Sequence, residues 1–121
     1  MTAFYPARGT VQESRAYHIR LLGVNGANPT VQEGSGITCT RTSEGLYKIT
    51  WSENPYQFIG FHGNFGSLTM DDMVDYTCVR GVYNATAFTL AFSTYKQNGT
   101  VEDIIADQYL DIVVYFSVSG Y

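Results

Sequence analysis

The sequence predicts an all-β fold, an antiparallel β-sandwich or jelly roll of seven to eight strands, with an extended arm over residues 1–15 ahead of a single domain over 16–121. Three observations carry that prediction. Runs of five to ten residues with alternating polarity recur along the chain, divided by clusters of Gly, Pro, Asn, Asp and Ser. No stretch has the period and length of a crossover helix. The composition, 45% hydrophobic with 15% aromatic and 15% charged over 121 residues, suffices for one core and argues against a second domain.

Along the chain, Phe4, Tyr5, Pro6 and Gly9 interrupt one another, so residues 1–15 read as an arm without a core of its own. Phe4 and Tyr5 are its candidate anchors for a partner, and Arg8 and Arg15 its candidate donors to carboxylates. Ala16 to Gly23 alternates as a strand, with Tyr17, Ile19 and Leu21 on one face and His18, Arg20 and Leu22 on the other. Turn formers follow from Asn25 to Pro29, and Glu33-Gly34-Ser35-Gly36 closes the loop.

The clearest element is a hairpin. Ile37–Thr42 and Leu46–Trp51 both alternate, and Ser43-Glu44-Gly45 between them places a glycine where a tight connection requires positive φ. Tyr47, Ile49 and Trp51 share the core face, with Ile37 and Cys39 opposite them. Beyond a Ser-Glu-Asn-Pro turn, Tyr56–His62 resumes alternation with Phe58 against Ile59 and Phe61, and Gly60, Gly63 and Gly66 point to a bulge or bend.

Leu68–Asp75 reads as a solvated loop. Tyr76–Val82, Thr86–Tyr95 and Leu110–Val118 are the last strands; Gln97–Thr100 is a turn, and residues 101–106 admit either a helical turn or a bend. The expected core comprises Tyr47, Ile49, Trp51, Phe88, Leu90, Phe92, Ile112, Val114 and Phe116. The last strand is apolar on both sides, with Val113 and Tyr115 opposite Ile112 and Val114, so it is expected to be central or to meet another subunit.

Chemistry-bearing patterns are few. His18 and His62 have no Cys or second His at ligand spacing, and the chain has no Gly-x-Ser-x-Gly, phosphate loop or His-Glu-x-x-His. Asp71-Asp72-Met73-Val74-Asp75 lacks the glycine and distal Glu of a calcium loop. A glycosidase pair such as Asp71 with Asp75 needs a separation that spacing does not supply. The reading is therefore non-enzymatic, with no cofactor, no metal and no catalytic residue, and a small hydrolase stands third.

Arg8, Arg15, Arg20 and Arg41 outnumber Glu13 and Glu33 in the first third, while acidic residues dominate the rest and the net charge is −4. Dispersed cations argue against nucleic acid. Met-Thr-Ala-Phe-Tyr-Pro lacks a signal-peptide pattern, and no apolar run reaches about 18 residues, so a soluble protein without a membrane partner is expected. On that basis Cys39 and Cys78 read as reduced, half-buried thiols, and the sequons at Asn84 and Asn98 as polar turns. The ten tyrosines admit two roles, stacking on sugars or bordering cores and subunit interfaces; the second is favoured.

Gly36-Ile37-Thr38-Cys39-Thr40-Arg41-Thr42, then Gly45-Leu46-Tyr47-Lys48-Ile49-Thr50-Trp51, Phe88-Thr89-Leu90 and Asp107–Val114 together resemble the small β-domains of tailed-bacteriophage virions. In those domains an Arg-Thr, Gly-x-Tyr hairpin precedes a phenylalanine-bearing strand, and an Asp-rich turn leads into a closing apolar strand. The likeness spans residues 36–118 and departs from the pattern at Gly60–Gly66. It implies a capsid decoration or cement protein, made in the host cytoplasm and bound to the major capsid protein on the virion surface, as a homo-oligomer and most often a trimer. Tail or fibre attachment proteins share such domains, and a carbohydrate-binding, lectin-like module is the alternative.

Overall fold

The computed structural model describes residues 14–55, 57–68, 76–96 and 99–117, with the backbone alone for 14 and 76–80. Its strands are β1 (Ser14–Leu22), β2 (Thr30–Glu33), β3 (Ile37–Ser43), β4 (Leu46–Trp51), β5 (Gln57–Ser67), β6 (Tyr76–Asn84), β7 (Thr89–Lys96) and β8 (Gln108–Ser117). They form two four-stranded antiparallel sheets, β2-β1-β8-β5 (sheet A) and β3-β4-β7-β6 (sheet B). β1 pairs with β8 and β4 with β7, so strands distant in sequence stand side by side within each sheet of the sandwich. Among the described residues there is no helix; residues 101–106 make a bent crossover with one bridge, Tyr95 to Val101.

The inner faces follow from the alternation. Ile19 and Leu21 of β1 and Leu110, Ile112, Val114 and Phe116 of β8 meet Cys39, Tyr47, Ile49, Trp51, Leu90 and Phe92 of sheet B. All the expected core residues are present, Phe88 as a half-buried flank. Phe88 lies outside β7, in the turn after β6, with φ of 56°. There Asn84 Oδ1 accepts from the amides of Thr86 and Ala87, so this sequon forms a polar turn.

One half of the core is aromatic. Phe116 packs edge-on against Tyr17, Trp51, Phe58 and Tyr83, and Phe58 stacks on Tyr83 at 4.9 Å between centroids. A bulge between Phe58 and Gly60 makes this possible. Simple alternation puts Phe58 and Phe61 on opposite faces; the extra residue brings both against the core and turns Ile59 outward, 56% exposed.

Two readings are corrected by the strand boundaries. Residues Thr30–Glu33, within the expected loop, form the edge strand β2, whose only core contact is the half-buried Val31. Arg15, assigned to the arm, is the second residue of β1, paired with Phe116. Phe4, Tyr5 and Arg8 lie outside the described residues, as do Asp71, Asp72 and Asp75.

Cys39 is a free thiol and buried rather than half-buried, and burial pushes its pKa up to about 12. Cys78 stands on the opposite edge strand of sheet B, three strand spacings or roughly 14 Å across, too far for a disulfide.

The end of the sandwich bearing the β3–β4 turn is closed by Asp103 from the β7–β8 crossover. Arg41 Nε donates to both its carboxylate oxygens at 2.9 and 3.0 Å, the Gly45 amide donates at 2.7 Å, and the Tyr47 hydroxyl donates at 3.3 Å. Tyr47 Oη in turn accepts from the Ile104 amide at 2.8 Å, which seats Ile104 fully buried beneath the crossover. Gly45 is required twice over: its φ is +70°, and a Cβ there would lie 2.4 Å from Val101 and 2.8 Å from the Glu102 nitrogen. Burial pushes the Asp103 carboxyl up, but Arg41, Gly45 and Tyr47 outweigh it and hold the pKa below the ordinary value.

Trp51→Ala is expected to cost roughly 3 to 5 kcal/mol in a urea titration, because it empties the centre of the aromatic half. Asp103→Asn is expected to cost about 1 to 3 kcal/mol at neutral pH, through loss of the charged acceptor. The depressed folded pKa gives the sign with pH: the stabilisation is full above the unfolded value of about 4 and fades as pH falls through the folded one. Parent and Asn variant should therefore converge in melting temperature in acid, and a difference that stays constant or widens there would refute the assignment.

Candidate functional site

The two outer faces differ in kind. On sheet B the outward residues are Thr38, Thr40, Lys48, Thr50 and Thr89, an ordinary solvated surface. Its apolar exceptions are Leu46 and Val82, 41% and 70% exposed, which flank a shallow groove of about 410 Å³ over Ala91 and Ser93.

Sheet A turns outward a band built on the central strand β8. Tyr115 lies between Ala16 and Gly60, Val113 between His18 and His62, Asp111 between Arg20 and Asn64, and Tyr109 between Leu22 and Gly66. A glycine stands beside each tyrosine, but a ring lies over only one of them: a Cβ at Gly60 would meet nothing within 4 Å. At Gly66 a Cβ would sit 2.3 Å from the Tyr109 ring, so that ring rests directly on the glycine. The Arg20 guanidinium packs 4.2 Å from the Tyr109 centroid and grips Asp111 through a two-pronged contact, Nε–Oδ1 2.7 Å and Nη2–Oδ2 2.9 Å. Tyr115 Oη and His62 Nε2 are 3.2 Å apart. The band is thus aromatic and aliphatic, and its central charges neutralise each other.

Two clefts complete the surface. Between the edge strands β5 and β6, an apolar opening of about 670 Å³ is lined by Phe58, Phe61, Val82 and Tyr83. The Tyr83 hydroxyl is buried without a partner, and burial pushes its pKa up. The second, a polar cleft of about 360 Å³, lies at the end where β1 starts and β4 finishes, bordered by Arg15, Tyr17, Trp51, Ser52, Glu53 and Asn54. Arg15 Nη1 donates to Tyr17 Oη at 3.3 Å, and both Ser52 N and Ser52 Oγ donate to the Gly36 carbonyl. Trp51 Nε1–H is buried with no acceptor, an omission that costs on the order of 1 to 3 kcal/mol.

Of the four residues predicted to bind a partner, the structure therefore places one, Arg15, at the mouth of the polar cleft. It does so beside Tyr17, which sequence reading places only on a strand face, and Trp51, which it places in the core. The signal it lacks is long-range: Arg15 and Trp51 meet only because β1 and β4 end at the same rim of facing sheets. His18 and His62 share a face but stand on strands either side of β8. Among the described residues, no group of three or more His, Cys, Asp and Glu is placed to hold a metal ion, and no helix is long and apolar enough to cross a membrane.

No family model, curated protein or solved structure matches the chain.

Proposed function

We propose that this protein is a non-enzymatic virion structural component of the capsid decoration type, which assembles as a homotrimer through the outer face of sheet A and fastens to the capsid by its N-terminal arm. The observation that supports this reading is the two-sided apolar character of β8, with Leu110, Ile112, Val114 and Phe116 inward and Tyr109, Val113 and Tyr115 outward. A sheet covered on one side normally alternates apolar with polar, as sheet B does. The outward band has the aromatic enrichment and muted charge of an interface core, with His18, His62 and Asn64 as its polar rim. The resemblance of residues 36–118 to small phage virion domains supplies the virion setting and the trimer.

The arm reading rests on Phe4, Tyr5 and Arg8 in a segment with too little periodic apolar pattern to build a core. β1 begins at Ser14, so the arm leaves the domain at the end that carries the polar cleft.

Val113→Asp tests the interface, since it puts a charge in the middle of the band while leaving every inward residue in place. Light scattering should give a trimer for the parent and a monomer for the variant, with far-ultraviolet circular dichroism unchanged; a monomeric parent would refute the interface. Deleting residues 2–12 tests the arm. The shortened chain should keep its melting temperature and trimeric mass while losing co-sedimentation with capsids, and undiminished co-sedimentation would refute the assignment.

A further inference from the structure

We infer that the outer edge of β5 is a docking site for an extended, uncharged segment of a partner protein, apolar at alternate positions. The segment adds to sheet A as a further strand and lays its apolar side chains into the opening between β5 and β6. The edge is the first observation. β5 is last in sheet A, and no described strand pairs with the side it turns away from β8. A strand edge is a row of backbone donors and acceptors, and what matches such a row is another extended backbone. Proteins ordinarily guard these edges with charge, proline or shortness. β2 has only 4 residues and carries Glu33, β3 carries Arg41 and β6 carries Arg80. The 11 residues of β5 include no Lys, Arg, Asp, Glu or Pro. Its bulge is confined to the step between Phe58 and Gly60, and from Gly60 to Asn64 its register with β8 is unbroken.

The opening beside the edge selects what the added strand carries. Its side chains alternate between the two faces of sheet A, and those on the inner face point toward sheet B, as Phe58 and Phe61 do. There they meet the apolar space of about 670 Å³ walled by Phe58, Phe61, Val82 and Tyr83. Val82, 70% exposed, is the most exposed large hydrophobic residue among those described. No residue of the wall is charged, so a charged side chain would lose water there without gaining a partner. Two occupants from this chain fit poorly. In a second copy of β5 the inner rings, Phe58 and Phe61, are already packed against their own core. The arm has no alternation and carries Pro6, which lacks the amide a ladder needs. A strand of a different protein meets neither obstacle. Pairing along the edge lies in the plane of sheet A, whereas the outer band looks out of that plane, so this site does not depend on the trimer.

The probe is a pool of short capped peptides with Val, Ile, Phe or Tyr at alternate positions, Thr or Ser between them and a Lys at each end for solubility. It is added to the isotope-labelled full chain and followed by nuclear magnetic resonance. At least one peptide should give saturable shifts of backbone amides within residues 57–64 and slow their exchange with solvent. One of its two alternately N-methylated forms, each lacking the donors of one edge, should fail to bind. Val82→Ser, at a position exposed enough to leave the melting temperature unchanged, should weaken binding about tenfold, the worth of one buried valine side chain. The inference is overturned if no member of the pool shifts those amides, if both N-methylated forms bind like the parent peptide, or if Val82→Ser titrates like the parent chain. Protection of the same amides in the chain alone as its concentration rises would also overturn it, by making a second copy the occupant.

Discussion

Everything in this fold hangs on how β8 reaches the middle of sheet A, and the contact that secures its approach is Asp103. Between β7 and β8 the chain must leave sheet B, cross the end of the sandwich and enter the opposite sheet between β1 and β5. The crossover is irregular, so its backbone groups need partners from elsewhere. Asp103 gathers the Arg41 side chain, the Gly45 amide and the Tyr47 hydroxyl onto one carboxylate. Thr94 and Glu102 close the adjoining step, with Thr94 Oγ1 donating to the Glu102 carbonyl. Ile104 is thereby driven into the core, and four residues later β8 begins. A single carboxylate thus couples the hairpin of one sheet to the central strand of the other.

The consequence is a domain with one end sealed. At the sealed end, Asn25 Oδ1 takes the Ala106 amide, Asn28 Oδ1 takes the Arg41 amide, and the Gly23 amide donates to the Gln108 carbonyl. The β1–β2 connection is thus tied to the β7–β8 crossover and to β3, twice through asparagine side chains acting as surrogate backbone. At the other end the main tie among the described residues is Ser52 to Gly36, and there a buried indole donor is left without an acceptor. Polar groups that are satisfied hold a loop in place; one that is not satisfied carries its desolvation cost unrelieved.

Elements whose instructions are local were legible in the sequence. The hairpin of β3 and β4 could be placed residue by residue, because alternation and Gly45 act within fifteen positions, and the inward set Tyr47, Ile49 and Trp51 followed from it. The two-sided character of β8 was equally visible. β2 was not, since four residues with one half-buried valine carry no periodic signal and exist as a strand only because β1 is there to pair with. The bulge at Phe58 was signalled by glycine, but its effect on Phe61 required the partner register. Asp103 and the polar cleft were illegible for the same reason. Their residues lie up to 62 positions apart for Asp103 with Arg41, and 36 for Arg15 with Trp51, and only the topology brings them together.

The contrast between the two sheets then bears on why a protein would keep the sheet A band. In an isolated sandwich the outward Tyr109, Val113 and Tyr115 stay half-buried beside glycine, alanine and histidine and gain only contacts with their strand neighbours, Tyr109 with Arg20 and Tyr115 with His62. Threonine would fill those positions at no cost to the core, as it does across the outer face of sheet B, and would carry the same β propensity. Gly60 and Gly66 weaken β5, an edge strand, by removing side chains that would otherwise pack along the sheet. Under the proposed assembly the two choices agree: the Tyr109 ring lies down on Gly66, and the Arg20–Asp111 pair, already neutralised within the band, leaves no unpaired charge at its centre for a partner surface to meet.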